Sequence, residues 1–265
     1  MDRLKEFNMK NEIRLDHELP LAVVEWGWKY HHLGTPTDKV MLDETYLALF
    51  RLYVSGFETS PFGIEWMRYE KDSPIHPLIQ EVPHICFEVE NLDYELSIHD
   101  FNIITLPNSP SKGTRVAMIE HDGAPMELIE FRNKKDSNKK NKIRLDHELP
   151  LAIGEWGWKY HHLGIPTNKV LPDERYLPQF KLYVSGFDTS PFGVEWMRYE
   201  KDSPISAITK SVPHIAFEVD DIDLEFAKHN FEIISEPGIP SDGVRAAMIL
   251  HNGAPIELIE FRNKI

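Results

Sequence analysis

Cysteine is almost absent. Cys86 is the single one in 265 residues, so no disulfide can form within the chain, and a small scaffold stapled by disulfides is excluded. Basic charge is scarce too: 29 lysines and arginines against 43 aspartates and glutamates leave a formal net charge of -14. That balance argues against nucleic-acid backbones and anionic membranes as partners. No apolar run is long enough to span a bilayer, and the opening MDRLKEFNMKNEIRL has no apolar stretch of signal-peptide length. A cytoplasmic protein is the expectation. Neither a P-loop, nor a GxGxxG fingerprint, nor a Ser/His/Asp order is present. What remains is 42% hydrophobic with 27% charged residues, a globular composition.

The chain carries the same text twice. Residues 11–133 match residues 141–263 without a gap at a constant offset of 130. NEIRLDHELPLAVVEWGWKYHHLG recurs as NKIRLDHELPLAIGEWGWKYHHLG, and PHICFEVENLD as PHIAFEVDDID. Each copy has the length of an ordinary domain, far longer than a solenoid repeat. Two domains, 1–133 and 143–265, are expected. The polar, lysine-rich NKKDSNKKNK joins them, with a solvated linker over 134–142. Some stretches have drifted, such as NLDYELSIHD against DIDLEFAKHN. Four acid or imidazole positions per copy have not: His32, Glu65, His84 and Glu127, then His162, Glu195, His214 and Glu257. Cys86 is replaced by Ala216, which fits a small buried hydrophobe better than a catalytic thiol.

Period-two patterning dominates within each copy. In EWGWKYHHLG, strict alternation puts Trp26, Trp28, Tyr30 and His32 on one face and His31 on the other. FRLYVSGF, GIEWMRYE and PHICFEV read as strands, and NLDYELSIHD as a helix opening near Asn91. TRVAMIEH, a DG turn and PMELIEF read as a closing hairpin. A helical turn is expected around DETYLALF. The order predicts an α+β fold with a mixed or mainly antiparallel sheet.

Alternation also sorts the candidate site residues. Glu127 shares a face with Ile129 and Phe131, Glu65 with Met67 and Tyr69, and His84 with Cys86. A carboxylate on an apolar face costs several kcal/mol unless neutralised. Two carboxylates and two imidazoles per copy suit one divalent cation such as Ni, Zn, Co or Mn. Any one of them alone reads more simply as a hydrogen-bonded or solvated side chain.

HHLGIPT, VEWMRYEKDSPI, VPHIAFEVDDID and GAPIELIEF, in that order, resemble the vicinal oxygen chelate superfamily, nearest to glyoxalase I and methylmalonyl-CoA epimerase. The resemblance implies two tandem glyoxalase-like domains, each a cupped sheet of paired βαβββ modules around a divalent metal. It places ligands at His32, Glu65, His84 and Glu127, and at His162, Glu195, His214 and Glu257. The first half of each copy departs from the family pattern. Only DKVMLDETYLALF stands where a full helix is usual, a strand is expected to be missing, and LDHELPLAVVEWGW is extra.

The implied activity is that of a metal-dependent lyase or isomerase removing a proton next to a carbonyl, with Glu127 and Glu257 as bases and Glu65 and Glu195 as partners. Trp28, Tyr30, Trp158 and Tyr160 would wall a small-molecule pocket, or else sit in the core. Arg115 and Arg245 would anchor a substrate carboxylate or phosphate, or else be structural. An internal pseudo-dimer is expected, with His32 and Glu65 joining either His84 and Glu127 or their counterparts in the other copy. Two other readings stand beside this one: an extradiol dioxygenase-like enzyme, and a metal-free small-molecule binding or resistance protein of the same fold.

Overall fold

Alternating apolar and polar residues form strands where the pattern predicts them, in a computed structural model describing residues 14–132 and 144–262. The first copy runs α1 (Leu21–Val24), β1 (Lys29–Pro36), β2 (Thr45–Leu47), β3 (Leu52–Ser55), β4 (Ile64–Tyr69), α2 (Pro77–Glu81), β5 (His84–Glu88), α3 (Leu92–Ile98), β6 (Asn102–Asn108), β7 (Thr114–His121) and β8 (Ala124–Phe131). The second runs α4 (Leu151–Gly154), β9 (Lys159–Pro166), β10 (Arg175–Leu177), β11 (Leu182–Ser185), β12 (Val194–Tyr199), β13 (His214–Glu218), α5 (Ile222–Lys228), β14 (Glu232–Ser241), β15 (Val244–His251) and β16 (Ala254–Phe261). Each copy supplies one eight-stranded sheet, ordered β2-β3-β4-β1-β5-β8-β7-β6 and β10-β11-β12-β9-β13-β16-β15-β14. Both curl into half-barrels, an α+β architecture. The expected linker at 134–142 lies outside the described residues.

The sheets are mixed. β1 is parallel to β4 and antiparallel to β5, while β5 is parallel to β8. The second module, β5-α3-β6-β7-β8, is a full βαβββ unit. Asn91 caps α3 by accepting from the Tyr94 amide at 3.0 Å. The β7–β8 turn has positive φ at both Asp122 (49°) and Gly123 (81°), as a two-residue hairpin of this hand requires.

The first module corrects the expectation of a missing strand. All four strands are present, and the helix is what is absent. DETYLALF forms no helix: Thr45–Leu47 is held extended as β2, and only its end turns, with the Phe50 amide donating to the Leu47 carbonyl at 3.1 Å. Arg68 forks onto Glu44 at 2.9 and 2.6 Å and stacks over Tyr53, and the Tyr46 and Tyr53 rings pair across β2 and β3 at 4.6 Å.

One hydrophobic core joins the two sheets, with Tyr30, Phe87 and Leu128 from the first copy meeting Tyr160, Phe217 and Leu258 from the second. Tyr30 and Tyr160 stack at 5.4 Å. Phe192 packs against Trp26 and Trp28 of the other copy, and Phe62 against Trp156 and Trp158. The segments before β1 and β9 cross over in the same reciprocal way. Ala22 donates its amide to Pro191 and Ala152 donates to Pro61, each at 2.9 Å, while the amides of Arg14 and Arg144 reach the carbonyls of Asp188 and Glu58. The extra LDHELP segment is thus an arm that docks on the opposite copy.

Candidate metal centre

Glu65, His32, His84 and Glu127 stand on four neighbouring strands, in the spatial order β4-β1-β5-β8. Their registers form two rows. In one, His32 faces Cys86 and Cys86 faces Glu127; in the other, Glu65 faces Gly34 and Gly34 faces His84. The second copy repeats both rows with Ala216 and Gly164 at the centres. A small residue in the middle of each row leaves room for the four longer side chains to lean together. A Cβ on Gly34 would lie 2.1 Å from Cε1 of His84, and one on Gly164 equally close to Cε1 of His214. Only glycine lets each imidazole lie across its neighbouring strand.

The side chains converge within a copy, not across copies. His32 Nε2 lies 3.3 Å from Glu127 and 3.8 Å from Glu65, and His84 Nε2 lies 3.4 Å from Glu127. In the second copy His162 Nε2 and His214 Nε2 are 3.2 Å apart and each 3.3 Å from Glu257, with Glu195 at 3.9 Å from His162. One ligand atom from each of His32, His84 and Glu127 can gather within 4.8 Å, and likewise from His162, His214 and Glu257.

Strict alternation breaks at His31. Tyr30 faces Phe87 while His32 faces Cys86, so β1 takes two residues where β5 takes one, a β-bulge. Tyr30 stays with the core and His32 turns to the site. Trp28, Tyr30, Trp158 and Tyr160 are therefore core residues packed between the copies, not pocket walls. Arg115 and Arg245 are likewise structural, pairing with Asp93 and Glu130 and with Asp223 and Glu260. Cys86 is fully buried, and burial with Glu127 beside it pushes its thiol up, as befits a filler rather than a nucleophile.

The bulge also brings in a residue that alternation hides. His31 Nδ1 lies 2.9 Å from His32 Nδ1, and His31 Nε2 lies 2.8 Å from the carbonyl oxygen of Asp146 on the opposite arm. A carbonyl only accepts, so His31 Nε2 carries a proton. Burial, then His32 and Arg144, push the His31 imidazole well below its ordinary range, so the ring is neutral and its Nδ1 accepts. His32 must then donate from Nδ1. His161, His162 and Asp16 repeat the relay at 2.9 and 2.9 Å, with burial again the leading cause of a neutral His161. The sequence signal for it was IRLDHELP, unchanged in both copies.

Burial raises the Glu65 carboxyl to about 7, with His84 opposing and Glu127 reinforcing. Glu195 is raised by burial too, against the pull of His162 and His214. Burial also works to raise Glu127, but hydrogen bonds to His32 and His84 outweigh it and hold it well below the usual carboxylate range. Glu257 behaves the same way with His162 and His214. Both lowered carboxylates require positive charge at the imidazole Nε2 atoms, supplied by a proton or a metal ion.

A cavity of about 650 Å³ opens over the second quartet. Its walls are mostly apolar, including Phe180, Leu182, Met197, Tyr199 and Ile205, with the exposed Arg175 also lining it.

No protein-family model matches the chain, and no curated protein matches its sequence. Among solved structures, a triple mutant of 4-hydroxymandelate synthase from Streptomyces coelicolor is similar at 11% identity, covering 92% of this chain and 88% of that one, with a TM-score of 0.44. A xylose isomerase-like TIM barrel/4-hydroxyphenylpyruvate dioxygenase fusion protein gives 12% identity, 89% and 49% coverage, and 0.39. Methylmalonyl-CoA epimerase from Mycobacterium tuberculosis gives 13%, 68% and 87%, and 0.19. Likeness this distant bears on no activity; the chain's own geometry has to carry the functional reading.

Proposed function

We propose that each quartet holds one divalent cation (Ni, Zn, Co or Mn), and that the protein is a metal-dependent lyase or isomerase acting on a small molecule by removing a proton next to a carbonyl. One observation carries this reading. The histidine relay has His32 and His162 donate from Nδ1, so each Nε2, aimed at a half-buried carboxylate 3.3 Å away, needs either a second proton or a metal ion between the two. A bare nitrogen facing a carboxylate oxygen repels it, and a cation between them turns that repulsion into ligation. Two imidazoles and two carboxylates are a fitting donor set for such an ion. The two copies, packed through one core, form an internal pseudo-dimer with one centre in each.

A cation held there supplies Lewis acidity that stabilises negative charge developing on a carbonyl oxygen. Glu127 and Glu257 are assigned as the bases that accept the proton. A carboxyl near 7 is well matched to general base work, so the raised Glu65 and its counterpart Glu195 supply the second assignment. The apolar cavity suits a substrate with a hydrocarbon body and a pair of oxygens at one end.

Elemental analysis of protein purified without tag or chelator should give two ions per chain. A protein that arrives free of metal and refuses added metal sinks the enzyme reading in favour of a metal-free binding protein. Candidate α-hydroxy ketones, hemithioacetals and 2-methyl acyl thioesters can then be followed for deuterium uptake in heavy water. Uptake abolished by Glu127→Gln with Glu257→Gln at full metal content supports the first assignment. Uptake lost instead in Glu65→Gln with Glu195→Gln moves the role to that pair.

A further inference from the structure

We propose that each copy's arm is a positioning element for the other copy's metal centre, so that neither centre is complete without the opposite half of the chain. The inference rests on reading the quartets as metal sites and adds who prepares them. Asp146 lies 115 residues along the chain from His31, and Asp16 lies 145 from His161. Each arm carbonyl fixes which nitrogen of its histidine bears the proton, and that histidine fixes the tautomer and tilt of the ligand next to it. Metal-ligating imidazoles almost always give the far nitrogen such an acceptor, and its loss weakens metal binding about 10–100-fold. Here the acceptor is a second imidazole, and its own partner comes from another domain.

The arms are anchored for this task. The Arg14 guanidinium stacks 4.0 Å over Phe187 and donates to the carbonyls of Phe187 and His161 at 3.2 and 3.1 Å. Arg144 stacks 3.9 Å over Phe57 and donates to Phe57 and His31 at 3.1 and 3.0 Å. Both arginines thus grip the backbone of the relay histidine itself, beside the ligand it orients.

Two measurements test this. Long-range proton–nitrogen correlation spectra of the native, metal-free protein should show Nδ1 of His32 and His162 protonated and Nδ1 of His31 and His161 bare. The reverse pattern overturns the proposal, and this readout needs no metal. The second measurement takes two single-site chains, one keeping the first quartet (His214→Ala with Glu257→Ala) and one keeping the second (His84→Ala with Glu127→Ala). Arg14→Ala is added to each. Zinc affinity should fall about 10–100-fold at the second quartet and stay within about twofold at the first. A loss at the first quartet, an equal loss at both, or none overturns the proposal. His161→Asn keeps an acceptor near the Nδ1 position and should preserve zinc affinity at the second quartet, while His161→Leu should not; equal losses would mean the residue only fills space. If neither single-site chain binds zinc, the metal reading fails, and the nitrogen spectra alone decide whether the relay exists.

Discussion

At the scale of single residues, the most demanding position is a glycine. Gly34 and Gly164 lie beneath the rings of His84 and His214, where a methyl group would sit 2.1 Å from the imidazole. If each quartet holds an ion as proposed, Gly164→Ala should leave one bound ion per chain, at the first quartet, read by metal content. The carboxylates predict a pH response of the metal-free protein. Glu65 titrates near 7 when folded against 4.5 as its ordinary value. Between those values the folded chain keeps a proton that the unfolded chain has released, so this residue's contribution to stability falls as pH rises through that window. Glu127 is shifted the other way, and its contribution is lost as pH falls below the ordinary carboxylate range. Denaturant midpoints of the chelator-treated protein should therefore fall from pH 5 to pH 8 relative to those of its Glu65→Gln variant, a comparison that cancels the opposite pull of the buried neutral His31 and His161.

At the scale of strands and turns, the two copies differ where they line their cups. Ala246 and Thr209 line the second cavity, and the matching positions of the first copy are Val116 and Ile79. Ala246→Val with Thr209→Ile should narrow the second centre's cavity with the first copy's bulkier side chains. A change of one or two methylenes in an apolar pocket alters preference about 10–200-fold. Competition between a bulky and a compact substrate would measure it, and an unchanged preference would mean these walls do not touch the substrate. Much at this scale was legible beforehand. Period-two alternation placed Glu65, His84 and Glu127 on their correct faces, because those strands are regular, and Asn91 and the DG turn announced themselves through capping and turn chemistry. Alternation failed at His31, since a bulge is a matter of pairing with β5 and leaves no mark in β1 alone. It failed again at DETYLALF, where the Glu44–Arg68 fork, formed by residues 24 apart, overrides a local preference for helix.

At the scale of the whole molecule, the copies are bound by exchanged parts. Phe62 and Phe192, each 1% exposed, fill tryptophan-lined sockets in the opposite half. Phe192→Ala should destabilise the protein by about 3–5 kcal/mol. The loss should appear in a single transition for both halves, since they share one core. Separate melting of the halves by calorimetry would contradict that view. None of this exchange was visible in sequence, where the arm was simply surplus: docking across copies depends on which backbone groups the other half leaves open, and no local pattern records that. The crossed arms also bear on how the molecule meets dilution. Two identical halves on separate chains would exchange arms only when they collide, and scarcity would strip each of its partner's contribution. Covalent joining makes that encounter intramolecular, so it no longer weakens as the protein is diluted. A centre whose ligand geometry depends on a neighbour's carbonyl is thereby insulated from how many copies of the protein a cell holds.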